Sequence, residues 1–181
     1  MPFVLDSSVA LAWVLPDEAN STLDHLCDRL TDDSALVPPV WPLEIGNVLL
    51  VAVKRGRLTT KDVSLLVTEL RALPLEIDAA STERVFKETL ALAQKYHLTT
   101  YDASYLELAQ RREIPLATLD SKLRQACLSA KIPFLPSQNP TIPRSTVAPR
   151  TFAVQTHSEC LAGDRFLGLR GLSTSNTRLS F

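Results

Sequence analysis

The sequence predicts an α/β protein: a three-layer α/β/α domain around a central parallel sheet over residues 1–135, followed by a flexible tail over residues 136–181. Three observations predict it. Short apolar runs alternate with helical patterns through the first 135 residues, and strands separated by helices pair in parallel with both faces covered. The 181-residue chain is 45% hydrophobic and 22% charged, the balance of a globular protein long enough to bury one sizeable core. After Leu135 the character changes: Pro136, Pro140, Pro143 and Pro149 crowd together, three of the five glycines follow, and no helix or strand period persists.

Each element has its own reason. Pro2-Phe-Val-Leu-Asp6 reads as a short buried strand, with a helix starting at Ser7 or Ser8. Residues 18–30 read as a second helix, because Leu23, Leu26, Cys27 and Leu30 recur on one face. Ala35-Leu-Val37 is a strand stopped by Pro38-Pro39, and Trp41-Pro42 opens a helix reaching Gly56 with Ile45, Val48, Leu49 and Ala52 as its stripe. Thr60 and Asp62 are candidate caps for a helix whose stripe is Val63, Leu66, Val67 and Leu70. Residues 74–78 form a strand, and Ser81-Thr-Glu-Arg84 opens a long helix aligning Phe86, Leu90, Ala93 and His97. A shorter helix covers about 102–112, Pro115–Leu119 is a strand ending at Asp120, residues 121–131 form a helix, and Ile132–Leu135 is a last strand.

The near-neutral total, 19 Lys+Arg against 20 Asp+Glu, is an average over unlike segments. Residues 1–135 hold 14 basic and 18 acidic residues, whereas the remainder holds five Arg against Glu159 and Asp164. That excludes a surface built throughout to hold nucleic acid, but not a local basic site. Cys27, Cys127 and Cys160 are far apart and lack Cys/His clustering, which argues against a disulfide framework or a zinc site and fits a reducing, cytoplasmic setting. The apolar start lacks a basic leader region and carries Asp6 within it, so no export signal is expected. The uncharged run Ile45–Val53 is far too short to span a bilayer.

Four acids stand out by position. Asp6 and Asp120 end strands, and in a parallel sheet ligands gather beyond the carboxyl ends of strands. Asp102, in Thr99-Thr-Tyr-Asp-Ala-Ser104, opens a helix, and Glu44 lies in the first turns of an otherwise apolar one. Aspartate is also a preferred N-cap, so each of the three aspartates has an ordinary explanation; Glu44 does not share it. If the four converge, each like-charge pair at about 4 Å costs on the order of 4 kcal/mol at an effective dielectric near 20. Such a cluster takes up protons or a cation, and hard oxygen donors favour Mg²⁺ or Mn²⁺.

The runs Phe3-Val-Leu-Asp-Ser-Ser-Val9, Pro42-Leu-Glu-Ile-Gly-Asn-Val-Leu49, Leu98-Thr-Thr-Tyr-Asp-Ala-Ser-Tyr-Leu-Glu-Leu-Ala109 and Pro115-Leu-Ala-Thr-Leu-Asp-Ser-Lys-Leu123, in that order, resemble PIN-domain ribonucleases, most of all VapC-type toxins of VapBC toxin–antitoxin pairs. The resemblance implies that Asp6, Glu44, Asp102 and Asp120 are the acidic quartet that holds Mg²⁺ or Mn²⁺ and positions the attacking water, with Ser8 and Thr118 supporting it. It further implies endonucleolytic cleavage of RNA, a homodimer, and a VapB-like antitoxin that covers the acidic site. Residues 136–181 have no counterpart in that pattern.

Two other functions compete: a catalytically weak scaffold acting through a partner protein, and a phosphotransfer domain with Asp6 as nucleophile. The complete quartet argues against the first, and the absence of a second acid in Asp6-Ser-Ser8 against the second. Lys54-Arg-Gly-Arg57, Arg111-Arg112 and Lys122 with Arg124 are candidate phosphate contacts, though cations at a helix C-terminus are expected from the dipole alone. Trp13 and Trp41 sit in apolar segments and are expected to pack, and His97 is expected half-buried on its helix stripe.

Overall fold

The computed structural model describes residues 1–15, 21–30 and 34–137. The expected start of the second helix at residues 18–20 and the tail from residue 138 lie outside them. Five strands form one sheet in the order β3-β2-β1-β4-β5, every neighbouring pair parallel. They are β1 (Phe3–Leu5), β2 (Ala35–Val37), β3 (Leu75–Ile77), β4 (Leu116–Ala117) and β5 (Phe134–Leu135). β1 is central: Val4 registers with Leu36 on one side and Leu116 on the other. All three residues of β1, and all three of β2, are buried. Successive strand side chains point to opposite faces, so both faces are covered and the three-layer arrangement follows.

The helices are α1 (Ser7–Val14), α2 (Ser21–Arg29), α3 (Trp41–Lys54), α4 (Thr60–Ala72), α5 (Thr82–Arg84), α6 (Leu90–Tyr96), α7 (Thr100–Arg112) and α8 (Ser121–Ala130), with a π-helical turn at Val85–Thr89 joining α5 to α6. α1 packs on α2, α3 and α4, while α7 packs on α6, α8, β1 and β4. Tyr105, Leu106 and Leu108 of α7 join Phe3, Leu5 and Leu116 of the sheet among the fully buried side chains, each contributing about 1.5–3 kcal/mol by burial. α7 is therefore anchored on the strands that carry the expected site. Among the described residues no helix is long and apolar enough to cross a membrane.

Several local expectations need correction. The cap of α4 is Thr59, not Thr60; Asp62 answers it from the third helical position, completing a capping box. β4 stops at Ala117, so Asp120 does not end a strand but caps α8. The long helix predicted from Ser81 is interrupted by the π turn, whose wider winding takes Phe86 off the face carrying Thr89 and Ala93. Phe86 is 72% exposed. His97 is exposed and ends α6 in the left-handed conformation, φ 55°, rather than continuing its stripe. Val48 and Val67 belong to their stripes by spacing yet are each 37% exposed, because those helices bury narrower faces than the period allows.

Candidate active site

Asp6 follows β1 directly and occupies the N-cap position of α1 with extended backbone, but its side chain makes no cap hydrogen bond. The carboxylate turns instead toward the neighbouring β4–α8 connection. Ser8 Oγ and Thr118 Oγ1 both donate to Asp6 Oδ2, at 2.5 and 2.6 Å, and Ser7 Oγ donates to Oδ1 at 3.3 Å. Those hydroxyls are themselves held: Leu119 N–H donates to Ser8 Oγ and Asp120 N–H to Thr118 Oγ1, each at 3.0 Å. A relay of hydroxyls thus braces the two turns at the carboxyl edge of β1 and β4. Ser8 and Thr118 both hold the Asp6 carboxylate, and capping alone does not account for Asp6.

Arg124 reinforces the brace from below. It is buried, donates from Nε to the Thr118 carbonyl at 2.8 Å, and lies 5.6 Å above the Phe134 ring. Its candidacy as a phosphate contact is therefore not supported: the guanidinium is bound to the backbone of the β4–α8 turn. Lys122 is exposed.

Glu44 sits in the first turn of α3, half-buried, and accepts a short hydrogen bond from the Tyr105 hydroxyl on Oε2. Tyr105 is fully buried on α7, three residues beyond Asp102 and so on nearly the same helix face. Sequence reasoning missed it, although a tyrosine on a buried helix face needs a partner for its hydroxyl. Asp102 is not the cap of α7; Thr99 is, accepting Asp102 N–H at 3.1 Å while its hydroxyl donates to Asp102 Oδ2 at 2.8 Å. Asp120 does cap α8, accepting Leu123 N–H at 2.7 Å, and its side chain stays exposed.

The electrostatics show which acids share a field. Burial raises the Asp6 carboxyl above its ordinary value, the three hydroxyls pull it back, and the charge of Asp102 raises it further. Burial likewise raises Glu44, against the Tyr105 hydrogen bond, and the charges of Asp6 and Asp102 add to the rise. Tyr105 is pushed far above the ordinary phenol range by burial and by Glu44, which keeps its proton in place as a donor. The buried Cys127 thiol is pushed up to about 12 by burial and by Asp6, too high to act as a thiolate. Asp6, Glu44 and Asp102 are thus near enough to feel one another's charge, whereas the Asp120 carboxylate is not brought to them and only its backbone N–H ties it to Thr118.

Among the described residues neither lysine nor arginine hydrogen-bonds to the Asp6, Glu44 or Asp102 carboxylates; their donors are hydroxyl groups. Nor do three acidic, histidine or cysteine side chains stand close enough to wrap a single ion between them. The donor chemistry nonetheless fits a divalent cation of the Mg²⁺ type, which keeps several waters and is commonly held through one or two carboxylates. Mutually repelling, oxygen-only acids at the ligand-binding edge of a parallel sheet are suited to that role.

The remaining basic candidates lie elsewhere. Arg111 and Arg112 are bound into a buried acidic cluster: Arg111 forms a fork to Asp78 at 3.0 and 3.2 Å and reaches Glu107 at 2.9 Å, Arg112 also reaches Asp78, and Arg84 reaches Glu107 at 3.2 Å. They are not free for phosphate. Lys54-Arg-Gly-Arg57 terminates α3, with Gly56 at φ 70°, about 15 Å along the helix from Glu44. Trp13 donates to the Leu23 carbonyl and Trp41 is buried, so both pack as expected.

This edge of paired strands, with acids at the starts of α1, α3, α7 and α8, is that of a PIN domain: the PIN-domain family model matches residues 3–128, and the chain belongs to that family. Ribonuclease VapC3 of Pyrobaculum aerophilum is 29% identical over 125 residues, spanning 69% of this chain and 94% of that protein. The crystal structure of PAE2754 from the same organism superposes with a TM-score of 0.53 at 20% identity, covering 70% of this chain and 84% of that one, and supports the fold.

Proposed function

We propose that this chain is a Mg²⁺- or Mn²⁺-dependent endoribonuclease, the toxin of a type II toxin–antitoxin pair, with Asp6, Glu44, Asp102 and Asp120 as its catalytic, metal-holding acids. The observation that carries the reading is that Asp6, Glu44 and Asp102 raise or feel one another's charge while only neutral groups hydrogen-bond to them. Such repulsion costs stability, and a bound cation would relieve it. The similarity to a protein named Ribonuclease VapC3 supports RNA as the substrate and a VapB-like antitoxin as the partner.

A bound divalent ion supplies an activated water and neutralises charge growing on the phosphodiester. The chain's own residues do the positioning. Ser8 and Thr118 hold one oxygen of Asp6, Tyr105 holds one oxygen of Glu44, and Thr99 holds one oxygen of Asp102. Asp120 extends the acidic edge from the start of α8, with Thr118 tying its backbone to Asp6. Residues 1–135 form the catalytic domain in this reading, acting in the cytoplasm as a homodimer, and residues 136–181 are dispensable for cleavage.

The test is RNA cleavage by the purified protein with Mg²⁺, Mn²⁺ or EDTA, alongside Asp6→Asn and Asp102→Asn. Cleavage only with metal and with both acids intact is expected; equal cleavage in every arm would sink the assignment. Expression should arrest growth, with rescue by the product of a neighbouring small gene. Removing residues 136–181 should change the rate by no more than a few-fold.

A further inference from the structure

A groove of about 560 Å³ opens between the end of α6 and the outer face of α8, lined by Lys95, His97, Ser121, Lys122, Gln125 and Ser129 with Tyr96 and Ala126. No carboxylate lines it. The contrast with a second groove, about 470 Å³ between α6 and α7, is informative: there Glu88 and Glu107 stand among Arg84, Lys95 and Arg111, and the salt bridges already described consume the arginines. In a domain whose acids outnumber its bases, a groove with two lysines and only neutral companions has a local field unlike the rest.

Its two walls lead to the acidic edge. Ser121 follows Asp120, and His97 lies two residues before Thr99, whose hydroxyl holds Asp102. Each wall of the groove is therefore continuous in the chain with a residue of the acidic edge, Asp120 at the start of α8 and Thr99 before α7. Lys95 rests its ammonium 5.0 Å above the Tyr96 ring, which limits where that charge sits. The hydroxyls and the Gln125 amide offer donors and acceptors suited to ribose and base edges.

We infer that the α6–α8 groove is the subsite for the single-stranded RNA segment flanking the cleaved phosphodiester, with Lys95 and Lys122 as its phosphate contacts. The inference rests on the ribonuclease reading of the acidic edge, so its test is made without catalysis. Binding of a fluorescein-labelled 12-nucleotide single-stranded RNA is measured by anisotropy on the full chain in EDTA, across a salt series. Each phosphate contact contributes about 0.7 to the slope of log K against log salt for a single strand. The Lys95→Ala/Lys122→Ala double variant should therefore lose about 1.4 from that slope and bind several-fold more weakly at ~0.1 M salt. Its melting temperature should be unchanged, and Lys95→Arg/Lys122→Arg should restore binding.

With metal present, the alanine variant should raise KM and leave kcat near wild type. Unchanged slope and KM in the alanine variant, with the loss appearing instead in Lys54→Ala/Arg55→Ala, overturns the groove and leaves the ribonuclease reading intact. Lysine-dependent RNA binding by a protein that never cleaves with any metal overturns that reading and leaves the groove. Lysine-dependent capture of polyaspartate with no binding of RNA assigns the groove to an acidic protein segment and overturns the proposal.

Discussion

Asp78 and Glu107 meet arginine, whereas the carboxylates of Asp6, Glu44 and Asp102 meet only hydroxyl groups. Asp78 and Asp6 make the sharpest pair, since each is buried and each directly follows a parallel strand of the same sheet. Burial pushes the Asp78 carboxyl up, but hydrogen bonds from Arg111 and Arg112 outweigh it and hold the group below its ordinary range. Asp6 has only hydroxyl donors and stays raised. The difference teaches that a strand-end acid is not by itself a site. The fold compensates the acids it uses as struts and leaves uncompensated those to which the proposed function assigns a cation.

The largest expected effect breaks the uncompensated set. Asp6→Asn should lower RNA cleavage on the order of 10³-fold, about 4 kcal/mol of transition-state stabilisation. The same change should raise thermal stability by about 1 kcal/mol, because it removes a buried charge while keeping an oxygen for Ser8 and Thr118. A fall in melting temperature would make Asp6 a strut like Asp78.

Asp78→Asn sharpens the comparison from the other side. It should cost about 2–3 kcal/mol at neutral pH, less than a fully buried pair because Arg111 and Arg112 are partly exposed, and leave cleavage per folded molecule unchanged. The sign with pH follows from the lowered carboxyl: its stabilisation is complete above the ordinary aspartate value of 3.8 and is lost as pH falls through the lower folded value. Denaturation curves of wild type and variant should therefore converge only below about pH 4. At the raised Asp6 and Glu44 the sign is opposite, since the folded state favours the proton and is destabilised as pH rises through the raised values.

A smaller effect probes the cation directly. Mg²⁺ at tenfold excess over its Kd should stabilise the wild type by about 1.4 kcal/mol and the Asp102→Asn variant by much less. Equal shifts, read by calorimetry, would mean that the ion binds elsewhere. Smallest is Tyr105→Phe, which removes one hydrogen bond to Glu44. It should lower cleavage about fivefold, near 1 kcal/mol, without changing the metal dependence of Asp6.

Much of this was legible in the chain because it rests on local rules. Every predicted strand is present, most helices fall where periodicity and turn residues put them, the one from Ser81 being divided by a π turn, and the PIN resemblance read from four short runs agrees with the family match over residues 3–128. The misreadings share one cause: local signals do not report what a side chain meets across the fold. Phe86 sits at helical spacing, yet a π turn redirects it. Arg111, Arg112 and Arg124 are candidate phosphate contacts by sequence, yet Asp78, Glu107 and the Thr118 carbonyl claim them. Tyr105 carries no chemical motif and gains its role only because α7 sets it against Glu44, 61 residues earlier.

By itself the sequence determined which residues could form the acidic edge, because strand length, helix period and capping chemistry act within a few residues of one another. It left Asp6, Asp102 and Asp120 each with a cap as a sufficient explanation. Only the tertiary structure decided among them: Asp120 caps, Asp102 answers the cap at Thr99, and Asp6 turns away from its own helix to hydroxyls on a neighbouring turn. The physical reason is that compensation is a property of space. Whether a buried charge meets an arginine or another charge depends on which strands lie side by side, and sheet order is settled only when the whole core packs.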